Sequence, residues 1–165
     1  MQLILLGNKK GVSIIEILVA IVVIVVALTG LLGLASFSLR ASGLIEQTTQ
    51  ANSLAQESLE ALRNFRDGTY WDTDGLGPLS AGIDYHLQKT GSPLEWQIIQ
   101  GSEVVGIFTR KIVLNNVLRD ASDNIVQSGG VNDPKTKKIT ATVSWQERGK
   151  NHQVELVAYL TAWKQ

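Results

Sequence analysis

Lys9-Lys10-Gly11-Val12-Ser13-Ile14-Ile15-Glu16-Ile17-Leu18-Val19-Ala20 opens directly into an apolar run that ends near Leu39, and this stretch decides the fold. No charged residue occurs between Ile17 and Leu39. At 1.5 Å rise per residue, a helix of about 23 residues covers roughly 34 Å, enough for a bilayer core of about 30 Å. Hydrocarbon offers the backbone no hydrogen-bond partners, so such a span must satisfy itself as a helix even where Val and Ile dominate. An ordinary secretory signal peptide has a shorter apolar core followed by a small-residue cleavage site. Lys9 and Lys10 precede the span and Arg40 follows it, which by the positive-inside bias places the N-terminus in the cytoplasm and the C-terminal domain outside.

Glu16 is discordant: a carboxylate at the head of the run with apolar neighbours on both sides. Such a charge is expensive in lipid and marks a functional position whose partner must be named. Cleavage between Gly11 and Val12 would create an α-amino group four residues from Glu16, a natural counter-ion within the chain or on a neighbouring subunit. The competing reading places Glu16 at headgroup depth, as the interfacial end of a plain signal anchor.

The order Lys-Lys-Gly, then Val-Ser-Ile-Ile-Glu, then Ile-Leu-Val-Ala-Ile resembles the class III signal of type IV pilins and type II secretion pseudopilins. The resemblance implies that a prepilin peptidase cuts after Gly11, that Val12 becomes the methylated N-terminus, and that Glu16 is the assembly carboxylate. The chain departs from the family in having Val12 where most members have Phe. Its leader, Met1 to Leu6, is also apolar, and it lacks the cysteines that form a C-terminal disulfide in many pilins. A second resemblance lies in Asp133-Pro134 to Trp145, followed by Glu147-Arg148-Gly149, which is similar to the C-terminal end of minor pilins of the V or I type.

What the family implies is an α+β, pilin-like fold, with a long N-terminal helix packed against a small antiparallel β-sheet domain. The expected division is a leader over 1–11, a transmembrane and filament-core helix over 12–39, an amphipathic extension over 40–66 and an extracytoplasmic β-sheet domain over 67–165. The implied function is that of a minor pilin or pseudopilin subunit. Its partners would be the prepilin peptidase, other pilin or pseudopilin subunits, an inner-membrane assembly platform and membrane lipid. It would reside in the cytoplasmic membrane and then in a cell-surface or periplasmic filament. The alternative is a signal-anchored single-pass protein whose β domain binds a ligand and never polymerises.

The rest of the chain is consistent with one modest domain beside the span. With 165 residues there is no room for a large enzyme core. The 15 basic and 15 acidic side chains cancel, and no basic cluster points to nucleic acid. There is no cysteine, so disulfides and thiol nucleophiles are excluded. After Arg40, Leu44, Ala51, Leu54, Ala55, Leu59, Leu62 and Phe65 recur at helical spacings, with Glu, Gln, Asn and Arg between them. With no proline from Val12 to Arg66, this predicts one helix of about 50 residues that ends at Asp67-Gly68 and packs beneath a sheet.

Thr69 to Gly82 reads as a loop whose aromatics, Tyr70 and Trp71, fold back over the sheet or helix. Ile83–Gln88, Leu94–Gln100 and Val104–Leu114 read as a meander, with Thr90-Gly91-Ser92-Pro93 between the first two. Asn115 to Thr136 reads as a long polar connection with a short Ile125-Val126 patch pairing locally. The last hairpin is the clearest β signal. Ile139, Ala141, Val143 and Trp145 alternate with polar residues, Arg148-Gly149-Lys150-Asn151 turns the chain, and Val154 to Ala162 returns. Because Val157, Tyr159 and Trp163 lie on its opposite face, the returning strand is expected to be partly covered on both sides, as an inner strand or a strand packed against loops.

Catalysis and metal binding find little support. His86 and His152 fall in separate strands, and no phosphate loop or His-x-x-Glu-His spacing occurs. Asp72 and Asp74, and likewise Asp120, Asp123 and Asp133, resemble calcium-loop fragments but read better as solvated turns. The expectation is therefore a non-enzyme without cofactor or metal, itself a substrate of processing enzymes.

Overall fold

The computed structural model describes residues 11–92 and 94–163, so the leader residues Met1 to Lys10, including Lys9 and Lys10, and Pro93 lie outside the described residues. The chain has two compact units, Met1–Ile45 and Glu46–Gln165. The helix α1, Ile14–Gly68, runs through both and matches the predicted span to within two residues at each end.

In the first unit α1 is long and apolar enough to cross a membrane, and the large apolar side chains from Val12 to Leu39 are all exposed. Thr29 is the polar residue whose accommodation is visible there. Its hydroxyl donates to the carbonyls of Val25 and Val26, at 3.1 and 2.9 Å, so no donor is left for the hydrocarbon to satisfy.

In the second unit α1 turns one stripe inward: Ala51, Ala55, Ser58, Leu59, Ala61 and Leu62 are buried. The stripe follows the apolar periodicity of the sequence, with Leu54 and Phe65 half-buried at its margin. Ser58 and Ala61, which the periodicity omitted, join it. Ser58 is tolerated because its hydroxyl donates to the Leu54 carbonyl at 2.8 Å.

The sheet is antiparallel. Its strands are β1 (Asp84–Thr90), β2 (Glu95–Gln100), β3 (Glu103–Val105), β4 (Phe108–Arg119), β5 (Ile125–Val126), β6 (Val131–Glu147) and β7 (Lys150–Thr161). The main order is β2-β1-β4-β6-β7, with β3 and β5 also paired to β4. One edge of β4 is covered along its length by β6, while β3, β1 and β5 share the other edge in succession. Alternate residues Phe108, Ile112 and Leu114 of β4 and Ile139, Ala141, Val143 and Trp145 of β6 are buried. Together with Leu59, Leu62, Trp71, Leu76 and Leu87 they make up the core.

Two polar links fasten the helix to the sheet. Trp145 Nε1 donates to Gln47 Oε1 at 2.9 Å, and the Arg110 guanidinium lies 3.4 Å from Glu57 and 2.5 Å from Glu103. Arg110 is almost buried, so these two carboxylates are what make its charge tolerable inside.

Four expectations need correction. The predicted strand Val104–Leu114 is a hairpin, because Gly106, at φ +62°, lets a two-residue Gly106-Ile107 turn separate β3 from β4. The predicted connection Asn115–Thr136 is largely strand. β4 continues to Arg119 and β6 begins at Val131, leaving only the stretch between them, which includes the Ile125-Val126 strand that does pair locally, with β4. The pairing jumps from Asn116↔Lys137 to Val117↔Asp133, so Pro134, Lys135 and Thr136 bulge away from β4. A proline is admissible there because no ladder bond is asked of its missing N–H. The shift also turns Val117 rather than Asn116 inward.

Third, β7 is an edge strand and not an inner one: Val157, Tyr159 and Trp163 are exposed, while Val154, Leu156 and Ala158 are half-buried and Leu160 is buried. Fourth, Trp71 folds inward but Tyr70 does not. Trp71 is buried and donates from Nε1 to the Pro134 carbonyl at 2.9 Å, whereas Tyr70 is 74% exposed.

Candidate processing and assembly site

Gly11, Val12 and Ser13 precede the helix, and the first turn closes on the Ser13 carbonyl, which accepts from the N–H groups of Glu16 at 3.0 Å and Ile17 at 3.3 Å. Ser13 is thus the N-cap and Glu16 the third helical residue. This Ser-x-x-Glu spacing is that of a capping box, in which the Ser hydroxyl accepts from the N–H of the third helical residue and the Glu carboxylate from the N–H of the N-cap residue. The positive end of the helix dipole also favours an anion there. The charge pattern alone had marked Glu16 as anomalous, and the Ser13-x-x-Glu16 spacing was the overlooked signal of where the helix begins.

Gly11 and Val12 lie in the open. Val12 is 67% exposed, and a Cβ built on Gly11 meets no atom within 4 Å. Gly11, Val12 and Glu16 are therefore brought together by adjacency in sequence, at an accessible helix entry, and not by long-range packing. The groups the segment itself holds are an exposed Gly11-Val12 amide and a carboxylate one helical turn away.

The other polar residues singled out from the sequence are occupied by partners in their own unit. Asp74 accepts from the Tyr70 N–H at 2.8 Å and the Thr73 hydroxyl at 3.0 Å, and these bonds hold its carboxyl below the ordinary value. Asp72 pairs with Lys135 at 2.7 Å. Asp120 caps its own loop by accepting from the N–H groups of Asn124 and Ser122, both at 2.9 Å, which likewise lowers its carboxyl. Burial alone would raise the Asp133 carboxyl, but bonds from Arg119, Thr136 and the Lys135 N–H outweigh it and hold it down. Arg119 also lies 3.5 Å from Asp123. Among the described residues no group of three or more His, Asp or Glu side chains is placed to hold a metal ion.

His86 lies with Nδ1 3.4 Å from the Gly101 carbonyl, and His152 stacks on Trp145 with ring centroids 5.4 Å apart. These contacts give both rings packing roles. Sequence reasoning missed Lys137, a buried ammonium that donates to Asn116 Oδ1 at 2.9 Å and to the Leu79 carbonyl at 3.3 Å and whose pKa burial lowers. Alternation places it on the core face, two residues before Ile139, but nothing local reveals its acceptors.

The chain matches no protein-family model, and no curated protein or solved structure is significantly similar to it.

Proposed function

We propose that this chain is a minor pilin or pseudopilin subunit, cut by a prepilin peptidase after Gly11 and assembled through its N-terminal helix into a type IV pilus or a type II secretion pseudopilus. One observation carries the reading: the sequence order Lys-Lys-Gly, Val-Ser-Ile-Ile-Glu leads into a helix, entered through the exposed Gly11 and Val12, whose residues after Glu16 are uncharged and whose large apolar side chains are exposed as far as Leu39. A helix of that kind needs an apolar solvent. Before assembly the bilayer supplies it, and in a filament neighbouring helices do. The Glu16 carboxylate is costly in the first setting and finds an α-amine in the second, which favours assembly and fixes the stagger between subunits. The β-sheet unit lies outside the cytoplasmic membrane and selects partners.

The decisive experiment is the intact mass and N-terminal sequence of the protein recovered from membranes of a host with its native prepilin peptidase. The expected product begins at Val12, with an added methyl. An uncut, stably anchored chain would overturn the proposal. Glu16→Ala is expected to remain membrane-inserted but to lose most incorporation into sheared filaments, and normal incorporation would remove the role given to this carboxylate.

A signal-anchored binding protein is the second reading. The capping-box spacing of Ser13 and Glu16 favours it, because it gives the carboxylate a use that needs no neighbour. That reading predicts an intact leader and filament-independent behaviour of Glu16→Ala.

A further inference from the structure

The β3–β4 turn carries an apolar tip. Turns are usually polar, because their backbone faces water and their side chains pack little. Here Gly106 provides the left-handed position, and Ile107 beside it is 57% exposed, with Val104 exposed at 70%. Between this tip and α1 runs an open groove of about 610 Å³, with Gln50, Ser53 and Leu54 on the helix side and Val105, Ile107 and Phe108 on the strand side. No residue lining it is charged.

We infer that this groove receives the uncharged helical segment of a second copy of the chain, the apolar stretch between Ile17 and Leu39. The match is one of charge and shape. A charged partner would be left in the groove without a counter-charge, at the cost of desolvation, whereas this uncharged helix is apolar except for Thr29, Ser36 and Ser38, and the Thr29 hydroxyl is already bonded within its own helix. The groove is open along one side, which suits a rod better than an enclosed small molecule. Every copy carries such a rod, exposed along its length. The inference rests on the subunit reading, since a solitary anchored copy keeps its apolar stretch in lipid. It adds to that reading a specific receptor surface, with Ile107 as the side chain that inserts between neighbouring helical residues.

The absence of cysteine makes the test direct. Ile107→Cys is placed in one tagged copy and a single cysteine at Leu28, Leu31, Leu32 or Leu34 in another. Both full-length chains are co-expressed with the prepilin peptidase and assembly machinery and then oxidised. The expected result is a disulfide-linked heterodimer from one or two of the four positions, with none from Val131→Cys as the control on an unrelated exposed strand. Adding Ser53→Glu, an exposed helix position, is expected to cut the yield about tenfold by placing a charge in the contact, with an unchanged thermal melt showing that the fold is intact.

Leader removal and filament incorporation are read on the same samples. A chain that is cut and incorporated but gives no link from Ile107→Cys overturns the groove and leaves the subunit reading standing. So does a link that is indifferent to Ser53→Glu, or a groove labelled only by lipid-borne or unrelated protein probes. An uncut, unincorporated chain overturns the subunit reading and, with it, the role given to the groove, whether or not a link forms.

Discussion

Between Ile17 and Leu39 α1 carries no charge and its large side chains are exposed, whereas between Ala51 and Leu62 it is rich in Glu and Gln and six of its residues are buried. The more apolar half of one helix is thus the less covered by its own chain. Burial is decided by what lies opposite a face, not by the hydrophobicity of that face. In the second half a narrow stripe of Ala, Leu and Ser is enough, because the sheet supplies Ile112, Leu114, Ile139 and Val143 to meet it. In the first half a nearly all-round apolar surface is left exposed among the described residues, because no described segment of its own unit packs against it.

The comparison can be broken by paired substitutions. Leu62, fully buried, should cost about 3 kcal/mol as Leu62→Ala, read by chemical denaturation of the sheet unit. Leu31→Ala, at a position 61% exposed, should leave that transition within about 0.5 kcal/mol. Equal effects would mean that the two halves are not distinct. Glycines sharpen the contrast. A Cβ on Gly77 would stand 2.6 Å from the Trp71 carbonyl oxygen, so Gly77→Ala is expected to destabilise by about 1–3 kcal/mol. Gly30→Ala meets no atom within 4 Å and should leave the same transition unmoved.

Acid distinguishes the regions next. Because the folded Asp133 and Asp120 carboxyls lie below their unfolded values, their stabilisation is complete above the ordinary carboxylate range and is lost as pH falls through the folded values. Asp133→Asn should flatten that acid limb in a pH series of thermal melts, and an unchanged limb would show that the Arg119 contact contributes nothing. The smallest effect belongs to the exposed face of the second half. Arg63, paired with Glu60 in solvent, should cost less than about 0.5 kcal/mol as Arg63→Ala, and a larger loss would reveal that this face is covered.

Much of the architecture was legible because it is local. An uncharged run, a 3.6-residue stripe and a period-two alternation each reflect a repeating backbone geometry that neighbouring residues express together. That is why α1, the buried face of β6 and the place of the β6–β7 turn follow from the residues alone, although the turn is tighter than Arg148–Asn151, with only Arg148 and Gly149 between the strands. The hairpin at Gly106 and the strand segments through Asn115 and Asn116 of β4 and Pro134 of β6 do not follow. A polar or proline-bearing stretch becomes strand only when a partner strand takes its hydrogen bonds and a bulge absorbs the mismatch, as β4 and β6 do. The candidate site asks nothing of the tertiary fold, since Gly11, Val12 and Glu16 lie within one short segment. The groove was not legible, since its two walls come from Thr49–Leu54 and Val105–Phe108.

By itself, then, the sequence determined a helix able to cross a membrane, the carboxylate at its head, its amphipathic continuation and an antiparallel sheet, all properties of residues close along the chain. The tertiary structure alone decided that β7 is an edge, that Tyr70 faces outward while Trp71 is locked to Pro134, and that Gln47 and Glu57 meet Trp145 and Arg110. The physical reason is that each of these outcomes depends on which distant segment arrives opposite, and a side chain's burial and hydrogen bonds are set by that arrival and not by its neighbours in sequence.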